Sequence, residues 1–166
     1  DAALAQYKRG QLLLRCPFDL SMNWELQELA LGLVCTSPRS LPSDWERAMI
    51  SLNQTLVLVG FGGLGLPLDP ELFLRWPHHH FLMASPAQAA QVPALQQVPN
   101  LSFLPGSVRP IDAFPLCSRQ LGKPGFSTFC EALDQGVGLH VVERRDFAEV
   151  AALMDGLSRV QIILKI

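Results

Sequence analysis

Charge is what this 166-residue sequence has least of: 17% of its residues are charged, and 13 Lys and Arg against 15 Asp and Glu leave a formal net charge of -2. Bulk electrostatics therefore exclude a nucleic-acid partner, while 49% hydrophobic residues exclude disorder by composition. An apolar membrane span is missing too. An uncharged stretch of membrane length, Ala48 to Leu68, carries Asn53, Gln54 and Thr55 and is broken by Gly60, Gly62, Gly63, Gly65 and Pro67. Cys16, Cys35, Cys117 and Cys130 form no C-x-x-C pair and no metal-like spacing, so reduced, buried thiols are expected. No basic stretch followed by an apolar run and a small-residue cleavage site addresses the chain outward, and a cytoplasmic location is expected. The first residue is Asp1, which reads as the middle of something longer. There is no G-x-S-x-G elbow, and Gly122-Lys123 runs into Pro124 with no upstream glycine, so it is no P-loop.

The length suits one domain burying roughly 70% of its unfolded surface. From Leu56 onward, short apolar runs alternate with amphipathic or turn-rich stretches, which predicts an α/β fold: a doubly wound, mostly parallel, Rossmann-like sheet with helices on both faces. The expected strands are Leu56 to Gly60, Phe81 to Ala84, Leu101 to Leu104, Ser118 to Leu121, Gly138 to Val142 and Val160 to Leu164. Helices are expected after Asp69-Pro70, after Pro86, at Ser127-Thr128 and after Asp146. Residues 1 to 53 read as a lead-in, and 54 to 166 as the domain itself. In the lead-in, Leu12 to Cys16 and Leu31 to Cys35 are candidate strands, and Ser43 to Glu46 has the spacing of a capping box before a helix. His78, His79 and His80 read as an exposed turn before a strand, and Trp24, Trp45 and Trp76 as single packing residues.

Two glycine clusters could carry chemistry. Gly60-Phe61-Gly62-Gly63-Leu64-Gly65 satisfies G-x-G-x-x-G after a strand, where backbone N–H groups can approach an anion. Pro67, Asp69 and Pro70 delay the next helix, and no acidic residue follows the second strand to hold a ribose, so a nicotinamide or flavin dinucleotide is a poor fit; a turn with no ligand is the alternative. The second cluster is Gly122-Lys123-Pro124-Gly125-Phe126-Ser127-Thr128, running into the helix that carries Glu131. A helix start preceded by glycines and a lysine is an anion site, but Thr128 and Glu131 also stand at capping-box spacing. In a doubly wound sheet the first and fourth strands lie side by side where the winding reverses, which would bring the two glycine loops together. The loop Glu143-Arg144-Arg145-Asp146 would open on the same edge, unless Asp146 and Glu149 serve only to start a helix.

The run Gly122 to Ala132, followed by Arg145-Asp146-Phe147-Ala148-Glu149, resembles the nucleotide-sugar half of GT-B glycosyltransferases. It is most similar to the glycosyltransferase-like module of plant L-arabinokinase-type proteins, where a K-x-G-[FY]-[GS]-T-x-x-E-A run occurs, and Val59 to Gly63 looks like that family's V-x-F-G-G loop. The resemblance spans Leu31 to Gly156. It implies a nucleoside diphosphate sugar as donor substrate, UDP-linked donors first, with no other cofactor and no metal. Gly62, Gly63, Ser127 and Thr128 would stand near the diphosphate with Lys123 and Gly125. Glu131 would accept hydrogen bonds from the ribose, and Arg145, Asp146 and Glu149 would approach the sugar. No Asp-x-Asp pair is present to hold a metal on the diphosphate. Val150 stands where many members place a Gln or Glu that binds sugar hydroxyls. The family's acceptor domain, which usually carries the catalytic base, would lie N-terminal to this chain, and no catalytic residue can be named within it. Two rivals to a donor-binding domain are a non-catalytic nucleotide sensor fused to a sugar kinase and an interaction module that has lost its ligand.

Overall fold

The computed structural model describes residues 2–62, 68–84, 93–142 and 147–159. In the lead-in a short helix, α1 (Ala2–Tyr7), precedes two parallel strands, β1 (Leu12–Arg15) and β2 (Gln27–Ala30), that pair only with each other. The second strand lies before the expected Leu31 to Cys35 run, which has no regular structure. Helix α2 (Ser43–Ser51) forms where expected but without the capping box. Pro42 is the N-cap residue, and Ser43 is already inside the first turn, where its hydroxyl cannot act as the cap.

The remaining strands, β3 (Thr55–Gly60), β4 (His79–Met83), β5 (Leu101–Phe103), β6 (Arg119–Gly122) and β7 (Gly138–Val141), form one parallel sheet in the order β5-β4-β3-β6-β7. The chain thus winds outward one way from β3, returns, and winds the other way from β6. This is the doubly wound, Rossmann-like α/β fold expected from the sequence. The apolar run of β3 is continuous because both faces of a parallel sheet are covered. Leu56 and Leu58 join Met49, Leu82, Ile111, Phe114 and Ala132 on one face. Val57 and Val59 join Phe73, Phe81, Leu95 and Leu101 on the other.

Around the sheet, α3 (Glu71–Leu74) starts where the Asp69 carboxylate accepts the Glu71 N–H at 3.0 Å. Its end is held by Asn100, whose buried side-chain amide donates to the carbonyls of Phe73, Trp76 and His79 at 2.8, 3.2 and 3.2 Å. Helix α4 (Pro110–Ala113), followed by a 3-10 turn at Phe114–Leu116, was not legible in the sequence. Helix α5 (Phe126–Asp134) connects β6 to β7, and α6 (Val150–Arg159) starts later than an Asp146 cap would require. The expected helix after Pro86 and the strand at Val160 to Leu164 lie outside the described residues.

The histidine run is a correction: His79 and His80 lie within β4, not in a turn ahead of it. His80 is buried and its Nε2 is 2.8 Å from the Ser102 hydroxyl, while burial lowers its pKa. Trp76 departs as well, being 57% exposed instead of packed. All four cysteines are free thiols, with Cys117 and Cys130 buried and Cys16 and Cys35 half-buried. Burial pushes the Cys117 thiol up to about 12, so it stays protonated at neutral pH.

Candidate functional site

The point where the winding reverses is the junction of β3 and β6, which pair from Val57 with Arg119 to Gly60 with Gly122. Both strands end in glycine, and at Gly122 the packing requires it. A Cβ on Gly122 would sit 2.2 Å from the Gly60 carbonyl oxygen and 2.9 Å from the Gln120 amide nitrogen. Beyond Gly60, the chain reaches Gly62 with φ +62, a left-handed conformation that disfavours a side chain. A Cβ there would be 3.1 Å from Lys123 Cε. The loop after β3 and the loop after β6 are therefore in contact, with the Lys123 stem lying against Gly62.

Immediately after Lys123, the extended backbone of Gly125 caps α5, and no side chain caps that helix. Thr128 and Glu131 stand inside the helix, so the capping-box reading of this pair falls: Thr128 is three residues too late to be the N-cap. The N-terminal amides of α5 point out of the helix beside Lys123, and both favour an anion there.

Glu131 is half-buried, and its carboxylate accepts no hydrogen bond from the described residues, although its backbone carbonyl accepts the Gln135 N–H at 3.2 Å. Burial raises its pKa, while the charge of Arg109 pulls it part of the way back. Arg109 is itself fixed. Asp112, 3% exposed, accepts the Arg109 N–H at 2.9 Å and its guanidinium at 2.6 Å. It also accepts the Arg39 N–H at 2.8 Å and the Arg39 guanidinium at 3.1 Å. Chiefly through the Arg109 guanidinium, these donors hold the Asp112 carboxyl well below the usual carboxylate range. Two arginines distant in the sequence thus share one buried carboxylate, and one of them, Arg109, also acts on Glu131.

Of the residues named from the sequence, Gly62, Lys123, Gly125, Ser127, Thr128 and Glu131 cluster at the carboxyl ends of β3 and β6. Glu149 stands in the turn before α6, and no hydrogen bond joins its side chain to the other described candidates. Gly63, Arg145 and Asp146 lie outside the described residues. Sequence reading missed Arg109 and Gln120. Gln120 is 3% exposed, its amide nitrogen reaches only the Leu121 carbonyl at 3.4 Å, and its Oε1 is buried without a partner. Its signal was a polar residue interrupting a β-run just before the Gly122-Lys123 pair.

No protein-family model and no curated protein matches the chain. Solved structures do. The glycosyltransferase SnogD from Streptomyces nogalater superposes with a TM-score of 0.53 at 16% identity, over 83% of this chain and 39% of that one. The glycotransferase of kitacinnamycin aligns at the same 16% identity and a TM-score of 0.48, over 74% of this chain and 31% of the other. The fold is similar to that of a glycosyltransferase. The chain spans less than two fifths of the length of either structure, and at such identity the likeness is one of fold.

Proposed function

We propose that this chain is the donor-binding domain of a GT-B-like glycosyltransferase and holds a nucleoside diphosphate sugar where β3 and β6 meet. The observation that carries the reading is the contact between Lys123 and Gly62, which joins two distant glycine loops beside the uncapped start of α5. In this reading the diphosphate lies on the N–H groups of Gly62, Gly63, Ser127 and Thr128, with Lys123 beside it and Gly125 keeping the approach open. Glu131, whose carboxylate meets no hydrogen-bond donor among the described residues, accepts the ribose hydroxyls, and Arg145, Asp146 and Glu149 face the sugar. Transfer leaves negative charge on the departing nucleoside diphosphate. A helix N-terminus and a lysine fixed in advance stabilise that charge more than the ground state, which is how they would lower the barrier. The acceptor and the general base would come from a second domain. Likeness of the Gly122 to Ala132 run to arabinokinase-type modules keeps a sensor role as the rival, and turnover by the full-length protein separates the two.

Thermal melting with and without UDP, ADP and GDP tests the site. Ligand at 100 times its Kd stabilises a folded domain by about 2.7 kcal/mol, a rise of roughly 5 °C or more at this size. One nucleotide should give that rise, unchanged by a chelator. Glu131→Gln should abolish most of it while leaving the unliganded protein folded. Because burial raises the Glu131 pKa above its unfolded value, ionising it opposes folding as pH rises through that interval and above it. The Gln variant should therefore melt no lower than the parent at pH 7. No shift with any nucleotide, or a Glu131→Gln variant that no longer folds, would overturn the reading.

A further inference from the structure

The sheet face carrying Val57, Phe81 and Leu121 holds a hollow of about 580 Å³. It adjoins a second hollow of about 390 Å³, with which it shares Trp76, Phe81 and Leu121. Together they form one trough on that face, running from the amino ends of the strands at Thr55 toward Phe61. Among the described residues, no acidic side chain lines either part. The wider part carries three groups that can bear positive charge, Arg119, His79 and His140, and the narrower part is apolar apart from Arg75 at its rim.

Arg119 is placed with some care. It pairs in register with Gly138 on β7, and a Cβ on that glycine would come within 2.9 Å of Arg119 Nη1 and 3.0 Å of its Cδ. Glycine therefore lets the side chain lie flat across the sheet. Its guanidinium donates one hydrogen bond, to the Ser118 carbonyl at 3.0 Å, and meets no carboxylate among the described residues. A guanidinium has five donors, so most of them remain for a ligand. His79 is held by ring contacts, edge-on to Trp76 at 5.6 Å and stacked near Phe81 at 6.4 Å. Its Nδ1 is buried without a hydrogen-bond partner. Trp76, more than half exposed, forms an apolar wall of the trough beside Phe81 and Leu121.

We propose that this trough binds an organic anion: a carboxylate-type group at Arg119 joined to a flat apolar body that lies on Phe81 and Leu121 against Trp76. The site is separate from the nucleotide crevice, since Arg119 and His79 begin their strands and the glycine loops follow the ends of theirs.

Calorimetric titration of the full chain with 1-naphthoate, and with the neutral 1-naphthalenemethanol as its uncharged match, tests the assignment. Naphthoate should bind once per chain with a Kd on the order of 1 mM or tighter, and the alcohol about tenfold more weakly, as loss of a charge-assisted hydrogen bond implies. Arg119→Gln should weaken naphthoate about tenfold and leave the alcohol unchanged, whereas Trp76→Ala should weaken both. Gly138→Ala keeps every charge but displaces the guanidinium, so it should weaken naphthoate alone and serves if Arg119→Gln fails to fold. Saturating UDP should not compete. Equal binding of acid and alcohol, indifference of naphthoate to both Arg119→Gln and Gly138→Ala, or no binding at all would overturn the proposal, the last leaving the trough as a surface for a polypeptide.

Discussion

The lead-in and the sheet are both built from short parallel strands, yet only one of them has an interior. Not one described residue before Ser43 is fully buried, whereas Val59 and Leu82 in the five-stranded sheet are completely shielded. Strand β2 is exposed along its whole length, with Leu29 52% exposed, and β1 alternates between exposed and half-buried. A two-stranded ribbon has no second layer to bury its apolar side chains, so strand pairing alone stabilises it little. The lead-in is instead tied down by polar and aromatic contacts at separate points. Arg15 bonds Asp19 and Glu28 at 2.8 and 2.9 Å, Lys8 bonds Glu25 at 2.8 Å, and Tyr7 stacks on Trp24 at 4.6 Å. Phe18 meets Phe129 of α5 edge-on at 6.2 Å, and Arg39 reaches Asp112. The sheet region carries its stability in packing, and the lead-in carries its position in a few anchors.

Denaturant unfolding of matched leucine variants would break this contrast most sharply. Leu82→Ala, at the centre of the buried layer, should cost about 3–5 kcal/mol, whereas Leu29→Ala should cost less than about 0.5 kcal/mol. Comparable losses at the two sites would mean the lead-in has a core of its own.

The Asp112 anchor comes next. Asp112→Ala removes a buried acceptor from two backbone N–H groups and two guanidinium groups, and should cost about 3 kcal/mol. Since folding lowers the Asp112 pKa, its contribution is complete above the unfolded carboxylate value near 4 and is lost as pH falls below it. Acid titration of stability should therefore show a drop below about pH 4 that the variant lacks; parallel curves would refute the anchor.

The smallest effect is expected at the third anchor. A Cβ on Gly156 in α6 would lie 2.2 Å from the Phe18 ring, so Gly156→Leu should push Phe18 away. Helix propensity favours leucine over glycine by about 0.8 kcal/mol, leaving global stability nearly unchanged. Limited proteolysis should nonetheless cut the lead-in near Phe18 faster in the variant, and equal rates would show that Phe18 does not hold it.

Legibility in the sequence follows the same division. Strand β3 and residues 81–83 of β4 could be read because a parallel sheet buried on two faces favours uninterrupted apolar runs, whereas β6, with Arg119 and Gln120, gave a weaker signal. Their order could be read because crossover handedness and the switch point leave few choices. The lead-in strand after β1 was misplaced because Leu31 to Cys35 is apolar without being buried, and hydrophobic patterning reports strands only where there is a core to face. Capping spacing misled twice, at Ser43 and at Thr128, because a cap is defined by the backbone angles of one residue, and Pro42 and Gly125 took that position. Within the candidate site, the glycines and Lys123 stood out in the sequence. Arg109 and Gln120 did not, since neither belongs to a motif and each gains its place from a neighbour brought in by folding.

By itself the sequence determined the layered α/β class and which strands would end in glycine, because burial on both faces and close backbone approach restrict residue type position by position. Only the tertiary structure decided that Lys123 would lie on Gly62, that Asp112 would gather two arginines 70 residues apart, one of which acts on Glu131, and that one face of the sheet would keep a trough lined by cations and, among the described residues, by no acid. Those outcomes depend on which side chains meet across strands distant in the chain, and no local pattern encodes such meetings.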